Sequence, residues 1–255
     1  TFFHLCTFIS FKFVYNIYLM NIRLYHRDSI LENTTSLLSK EHTHYIVNVM
    51  RLKRGSNLNF FNKNGEWKSE IIFLDKDRVE VKFLNKIKGA SNSSNIELAI
   101  CLVKKNPMET ILQKATELGV SKIIPIVTER TEIKELNHNR AERIVIEAIE
   151  QSNQLTPPEI TKIIKLKDFL KNFDESSKLL FADVNSKKNL KTEDLKDHKS
   201  LCILIGPEGD FSPSERETIL GNRFVKPFTL SRNILRSDTA VISAISLVNF
   251  INNFN

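Results

Sequence analysis

Apolar and polar residues alternate with two different rhythms along this chain. From Met20 to about Lys88 the apolar positions come in short runs. "SNLNFF", "EWKSEIIFL" and "DRVEVKFL" have period-two or continuous apolar character, which predicts strands. "NKNGE" and "DKD" separate them and read as hairpin turns. Upstream, "KEHTHYIVNVMRLKRG" places Ile46, Val49 and Met50 at helical spacing, with Gly55 as a helix stop. A small β-barrel or sandwich with one helix is expected.

"KGASNSSN" is a polar break, and after it the rhythm changes. "IELAICLV", "KIIPIV", "KLLFAD", "LCILIG" and "FVKPFTL" read as strands. Between them "PMETILQKATELGV", "NRAERIVIEAIEQSNQ", "KDFLKNF" and "SPSERETILG" read as helices, and "RSDTAVISAISLVNFIN" as a long last one. Pro107 falls in the first turn of the first helix and Gly119 at its end, with Met108, Ile111, Leu112, Ala115 and Leu118 as its core stripe. Continuous apolar strands alternating with helices predict an α/β fold, a mostly parallel sheet covered on both faces. Ligands of such sheets bind beyond the carboxyl ends of the strands. The loops after Ile205 and Leu230 are therefore candidate ligand positions.

Composition narrows the partner. The 255 residues carry a formal charge of +7, which favours a polyanion over an acidic partner. Thirteen Lys and Arg stand against eight Asp and Glu over residues 20–88, so the smaller region holds most of that excess. Cys6, Cys101 and Cys202 have no metal-like spacing; no metal is expected, and a reducing, cytoplasmic setting fits. Residues 1–19, "TFFHLCTFISFKFVYNIYL", lack a basic leader and a cleavage site. His4, Lys12 and Asn16 interrupt a stretch barely long enough to span a membrane. A membrane anchor, an added hydrophobic element and translated sequence upstream of Met20 are three readings, the third favoured. No other segment approaches a span.

The two loops hold the chemistry. No G-x-x-x-x-G-K-[ST] and no G-x-G-x-x-G following a strand is present. In "LCILIGPEGDFSPSE" Pro207 removes an N–H, and Glu208 and Asp210 add negative charge. An uncharged or cationic ligand suits this turn better than a phosphate. Ser212 and Glu215 form an S-x-x-E capping box behind it. In "LSRNILRSDTA" Ser231 and Asn233 are turn formers, and Ser237 or Asp238 can cap the last helix. Ile234 and Leu235 either pack on a flat ring or fill core beneath the loop; on spacing alone the second is stronger.

Those two loops, in this order, resemble the bacterial 16S ribosomal RNA uridine-N3 methyltransferases of the knotted SPOUT class. "QKATELGV" (113–120), "TER" (128–130), "EQSNQ" (150–154), "NIRLYH" and the spacing from His44 to Arg51 are similar to further segments of that family. The resemblance extends over nearly everything from Met20 onward. It implies a PUA-like RNA-binding β-barrel over 20–88, a linker at 89–95 and a SPOUT α/β domain with a trefoil knot over 96–255. It further implies S-adenosylmethionine as cofactor, 16S RNA or the small subunit as partner, and a homodimer. Cofactor contacts carry over to Gly206, Glu208, Gly209, Leu230, Ser231, Ile234, Leu235 and Arg236.

Departures exist. The family's second glycine is Asp210 here, tolerable if it faces solvent. An arginine of the "EQ-x-x-R" segment is Gln154, and the Asp-Gly hairpin is Asn62-Lys63. Methylating N3 of uracil requires removing a weakly acidic proton or stabilising the imide anion. Arg236, always charged, is the candidate catalytic group, with Asp238 or Glu208 as proton acceptor. Arg23, Arg51, Lys53 and Arg54 are the candidate RNA contacts. Two rivals are a SPOUT ribose 2′-O-methyltransferase, whose last motif normally reads Ser-Leu-Asn-Val-Ser, and a non-catalytic ribosome-assembly factor.

Overall fold

A computed structural model describes residues 22–90 and 94–253; the leader at 1–19 lies outside them. The chain separates into two compact units, the first ending at Ser91 and the second starting at Asn92.

The first unit contains β1 (Arg23–Tyr25), β2 (Thr35–Leu37), α1 (Lys40–His44), β3 (Asn57–Asn62), β4 (Gly65–Leu74) and β5 (Val79–Gly89). The sheet order is β1-β3-β4-β5-β2. β1 runs parallel to β3 and the other pairs are antiparallel. Lys63 and Asn64 close the β3–β4 hairpin, with Asn62 opposite Gly65. Gly65 has φ +146°, and a Cβ there would sit 2.3 Å from the Lys88 carbonyl oxygen. Only glycine fits that crossing of β4 and β5. Ile46, Phe60, Ile71, Val81 and Phe83 fill the core.

The expected helix is shorter than the sequence pattern suggests. α1 passes into a π-helical turn over Tyr45–Val49, where the Met50 N–H reaches back five residues to the Tyr45 carbonyl at 2.9 Å. The wider turn rotates the following side chains out of register. Ile46 is buried, but Val49 and Met50 are exposed, so the three apolar residues at helical spacing do not share a buried face. The helix ends before Arg51, which takes φ +51°; Gly55 lies beyond it.

The second unit comprises β6 (Ile96–Cys101), α2 (Lys105–Glu117), β7 (Lys122–Val127), α3 (His138–Ser152), β8 (Glu159–Ile160), β9 (Ile164–Lys165) and α4 (Leu166–Lys171). These are followed by β10 (Lys178–Ala182), β11 (Leu201–Ile205), α5 (Pro213–Leu220), β12 (Val225–Phe228) and α6 (Ser237–Asn253). The strands form one sheet in the order β12-β10-β11-β6-β7-β8, with β9 also pairing β7. Every pair is parallel.

Alternation along each strand explains the two covered faces. Leu98, Ile100, Leu180, Ile203 and Ile205 pack with α2, α3 and α6. Ala99, Cys101, Leu179, Phe181, Cys202 and Leu204 pack with α4 and α5 on the other face. Burying each large aliphatic side chain of these sets contributes about 1.5–3 kcal/mol. Cys101 and Cys202 are buried free thiols, and burial pushes both well above the usual thiol range, so neither supplies a nucleophile. Among the described residues no helix is long and apolar enough to cross a membrane.

Candidate functional site

At the carboxyl ends of β6, β10, β11 and β12 the loops enclose a cavity of about 1040 Å³. Gly206, Glu208 and Gly209 form one wall; Leu230, Ser231, Ile234, Leu235 and Arg236 form another. All eight residues expected around one ligand thus border one cavity in the second unit.

The first wall is shaped by its own hydrogen bonds. Asp210 N–H donates to the Pro207 carbonyl at 3.0 Å. Phe211 N–H donates to Asp210 Oδ1 at 2.8 Å, and Ser212 N–H to Glu215 Oε2 at 3.0 Å. Three successive N–H groups are thus engaged within the turn and Pro207 has none, which leaves fewer donors for an anion. Asp210 sits at φ +57°, the left-handed conformation that a family glycine adopts freely and that Asp tolerates through such local bonding. It is half-buried and turned onto its own loop, so it is accommodated by this local bonding and not by facing solvent. Gly206 is required because the Phe211 ring lies 2.9 Å from where a Cβ would stand. Ser212 Oγ accepts the Glu215 N–H, completing the expected capping box of α5.

In the second wall, Ser231 Oγ accepts the Asn233 N–H at 3.0 Å. Leu230 packs on the core below, but Ile234 is 90% exposed. Filling core is therefore not the role of Ile234. The Ser237 hydroxyl donates to the Gly206 carbonyl at 3.4 Å and ties the two walls together, while Asp238 Oδ1 accepts the Thr239 N–H in the first turn of α6 at 2.8 Å. The Arg236 carbonyl accepts the first helical N–H, from Ala240, at 2.8 Å. Arg236 thus stands at the N-terminus of a 17-residue helix, where the helix dipole disfavours a cation by about 0.3–1 kcal/mol. The side chain is exposed and has no ion-pair partner among the described residues. An unpaired cation in an unfavourable place beside a cavity is suited to meeting an electron-rich ligand.

Sequence reasoning missed one cavity residue with a large electrostatic role. Asp183 directly follows β10, and its side chain is 3% exposed. Its oxygens take a bidentate pair from Arg216 on α5 at 3.2 and 2.7 Å, and Oδ1 also accepts the Asn185 N–H. The carboxylate raises the Arg216 guanidinium still further above its ordinary range. The general rule for carboxyl ends of strands pointed to this position, but the pairing across 33 residues has no local signal.

The candidate RNA contacts divide. Arg51, Lys53 and Arg54 are exposed on the turn between the π-helical segment and β3. Arg23 is not with them. Its side chain is 8% exposed, with Nε donating to Glu66 Oε2 at 3.0 Å and the guanidinium 4.2 Å from the Phe61 ring centre. Asn59 Nδ2 holds the other Glu66 oxygen at 2.7 Å. A buried cation needs such a partner, so Arg23 joins β1 to the sheet.

Fold and cavity define an α/β domain with a cavity at the carboxyl edge of its parallel sheet, joined to a small β unit with an exposed basic turn. The RNA methyltransferase domain model matches residues 90–249, and the RNA methyltransferase PUA domain model matches residues 38–84. The chain belongs to this RNA methyltransferase family. It is 33% identical over 234 residues to the ribosomal RNA small subunit methyltransferase E of Rickettsia conorii, covering 90% of this chain and 95% of that protein. The protein of the same description from Bacillus subtilis is 28% identical over 241 residues, covering 88% and 93%. Among solved structures, ribosomal RNA small subunit methyltransferase E from Neisseria gonorrhoeae, bound to S-adenosyl methionine, matches with a TM-score of 0.81. The identity is 26%, over 91% of this chain and 98% of that one. A Legionella pneumophila methyltransferase solved with bound SAM gives 0.80 at 28% identity, with the same coverage.

Proposed function

We propose that this protein methylates N3 of a uridine in 16S ribosomal RNA of the small subunit, with S-adenosylmethionine as donor. The observation that carries this reading is the cavity bounded by both family loops, with Arg236, which has no ion-pair partner among the described residues, at its edge. Its volume, about 1040 Å³, is at the upper end for small-ligand sites. The residues fit the donor. Leu230 and Leu235 offer apolar surface for a heteroaromatic ring, and Glu208 brings negative charge toward a cation. When bound, the donor supplies an electrophilic methyl group on a sulfonium.

The chain's own residues do the rest. Arg236 holds a uracil carbonyl oxygen and stabilises the imide anion as the N3 proton leaves, an effect of about 10²–10³ in rate for one such donor. Glu208 or Asp238 accepts that proton. The loop walls align donor and acceptor, and the target base enters the cavity unstacked. Arg51, Lys53 and Arg54 bind phosphates, and the φ of +51° at exposed Arg51 is the kind of backbone strain retained in functional loops. The reading includes a PUA-like unit over 20–88, a linker at 89–95, a SPOUT unit over 96–255 with a trefoil knot, a homodimer and a cytoplasmic location.

Mass spectrometry of small-subunit RNA nucleosides from cells with and without the protein tests this. Loss of N3-methyluridine on deletion is expected. Loss of a ribose 2′-O-methyl mark selects the first rival, and no lost mark selects the assembly factor. Replacing Lys53 and Arg54 by Ala should weaken RNA binding and flatten its salt dependence.

A further inference from the structure

Loop 128–131 follows β7 and closes on itself. Thr128 N–H donates to Thr131 Oγ1 at 3.0 Å, and the two threonine hydroxyls are 2.7 Å apart. Both threonines are buried, whereas Glu129 and Arg130 between them are exposed. This turn presents Glu129 and Arg130 to a distant part of the chain. Glu129 N–H donates to Glu215 Oε1 at 2.9 Å, the carboxylate whose other oxygen completes the α5 cap. Arg130 Nη1 donates to the Gly209 carbonyl at 3.0 Å and lies 3.4 Å from the Phe211 carbonyl. Gly209 packs on the arginine stem, a Cβ there falling 3.8 Å from Arg130 Cβ.

The bonds within 206–212 do not by themselves fix how this turn sits over the sheet. Its middle, Glu208 and Gly209, is exposed, and the Gly209–Asp210 peptide contains a left-handed residue. Arg130 holds the carbonyls on either side of that residue from outside the cavity. A single nitrogen, Nη1, faces both carbonyls, carried on a planar group that stays charged at every working pH.

We propose that Arg130 is a positioning residue that holds the Gly206–Phe211 wall in its donor-binding conformation. The inference rests on the proposed function, because the donor is the one named there. If the wall without Arg130 is competent only about a tenth of the time, apparent donor affinity falls about tenfold.

Calorimetric titration of S-adenosylmethionine into the full-length wild type and into Arg130→Ala, Arg130→Lys and Arg130→Gln tests this. It is paired with hydrogen exchange on the ligand-free proteins. The expected result is about tenfold weaker binding by the Ala variant and partial recovery by Lys. Faster exchange confined to the Gly206–Phe211 wall, with an unchanged melting midpoint, is expected with it. Unchanged affinity in the Ala variant overturns the proposal. So does a general rise in exchange or loss of fold in both the Ala and Gln variants, because Arg130 would then support the domain rather than the wall. If the wild type itself binds no donor, the proposed function fails; unchanged wall exchange in the Ala variant then overturns the positioning role separately.

Discussion

The parallel sheet has a cavity at each edge, and the two differ in what their polar groups are doing. At the amino edge about 790 Å³ is bounded by Lys122, Asp174, Ser177, Lys199 and neighbours. There the charges serve one another: Lys199 meets Asp174 at 2.9 Å and Lys122 meets Glu159 at 3.6 Å. The Ser200 hydroxyl donates to Ser177 Oγ at 2.8 Å. At the carboxyl edge the acids and N–H groups shape the walls, while Arg236 is left without a carboxylate among the described residues. Comparable volumes on one sheet therefore have different chemical capacity. Charges engaged with one another present less field to a ligand than a cation without a carboxylate partner beside apolar surface.

The sharpest test is Arg236→Ala, which should lower kcat by about 10²–10³ while RNA affinity stays near that of the wild type. A methyl-transfer assay with a parallel binding titration reads both, and equal losses in the two would remove the distinction drawn for this edge. Next, Asp183→Ala leaves Arg216 without its buried partner. The Arg216 side chain keeps 33% exposure, so water recovers part of the loss. The expected cost in denaturant unfolding is about 2 kcal/mol, below the 3–5 kcal/mol of a fully buried pair. Ser212→Ala removes the α5 cap and should cost about 1 kcal/mol in the same measurement.

The smallest effect belongs to the amino edge. Lys199→Ala should leave the melting midpoint nearly unchanged at neutral pH, because both partners are exposed and screened. Asp174 is held at about 2, first by the Ser176 hydroxyl and then by Lys199. A depressed carboxylate stabilises the fold fully above its ordinary value near 3.8 and loses that contribution as pH falls toward 2. Whatever small gap separates the wild type from the Lys199 variant at neutral pH should close across that window. A gap that persists at pH 2 would show that the lysine acts by packing instead.

Legibility in the sequence followed distance along the chain. Continuous apolar strands such as "LCILIG" and helices such as "PMETILQKATELGV" were readable because their periodicity is local, and the Ser212–Glu215 box because its partners are three residues apart. β1 and β2 have three residues each, and β8 and β9 two, too short for any period to register. The π-helical turn at Tyr45–Val49 adds one residue per turn, and nothing in a helical pattern announces it. Arg23 looked like its basic neighbours; Glu66, 43 residues away, gives it a different place.

The amino-acid sequence by itself determined an α/β domain preceded by a small β unit, and two loops that border one cavity. It did so because strand period and helix caps are properties of adjacent residues. Only the tertiary structure decided that Asp183 meets Arg216 beside the cavity, that Arg23 is buried, and that Arg130 holds a wall 79 residues away. The Arg130 contact depends on the strand order, which sets only β6 between β7 and β11. That order is chosen by how the whole sheet buries its two faces.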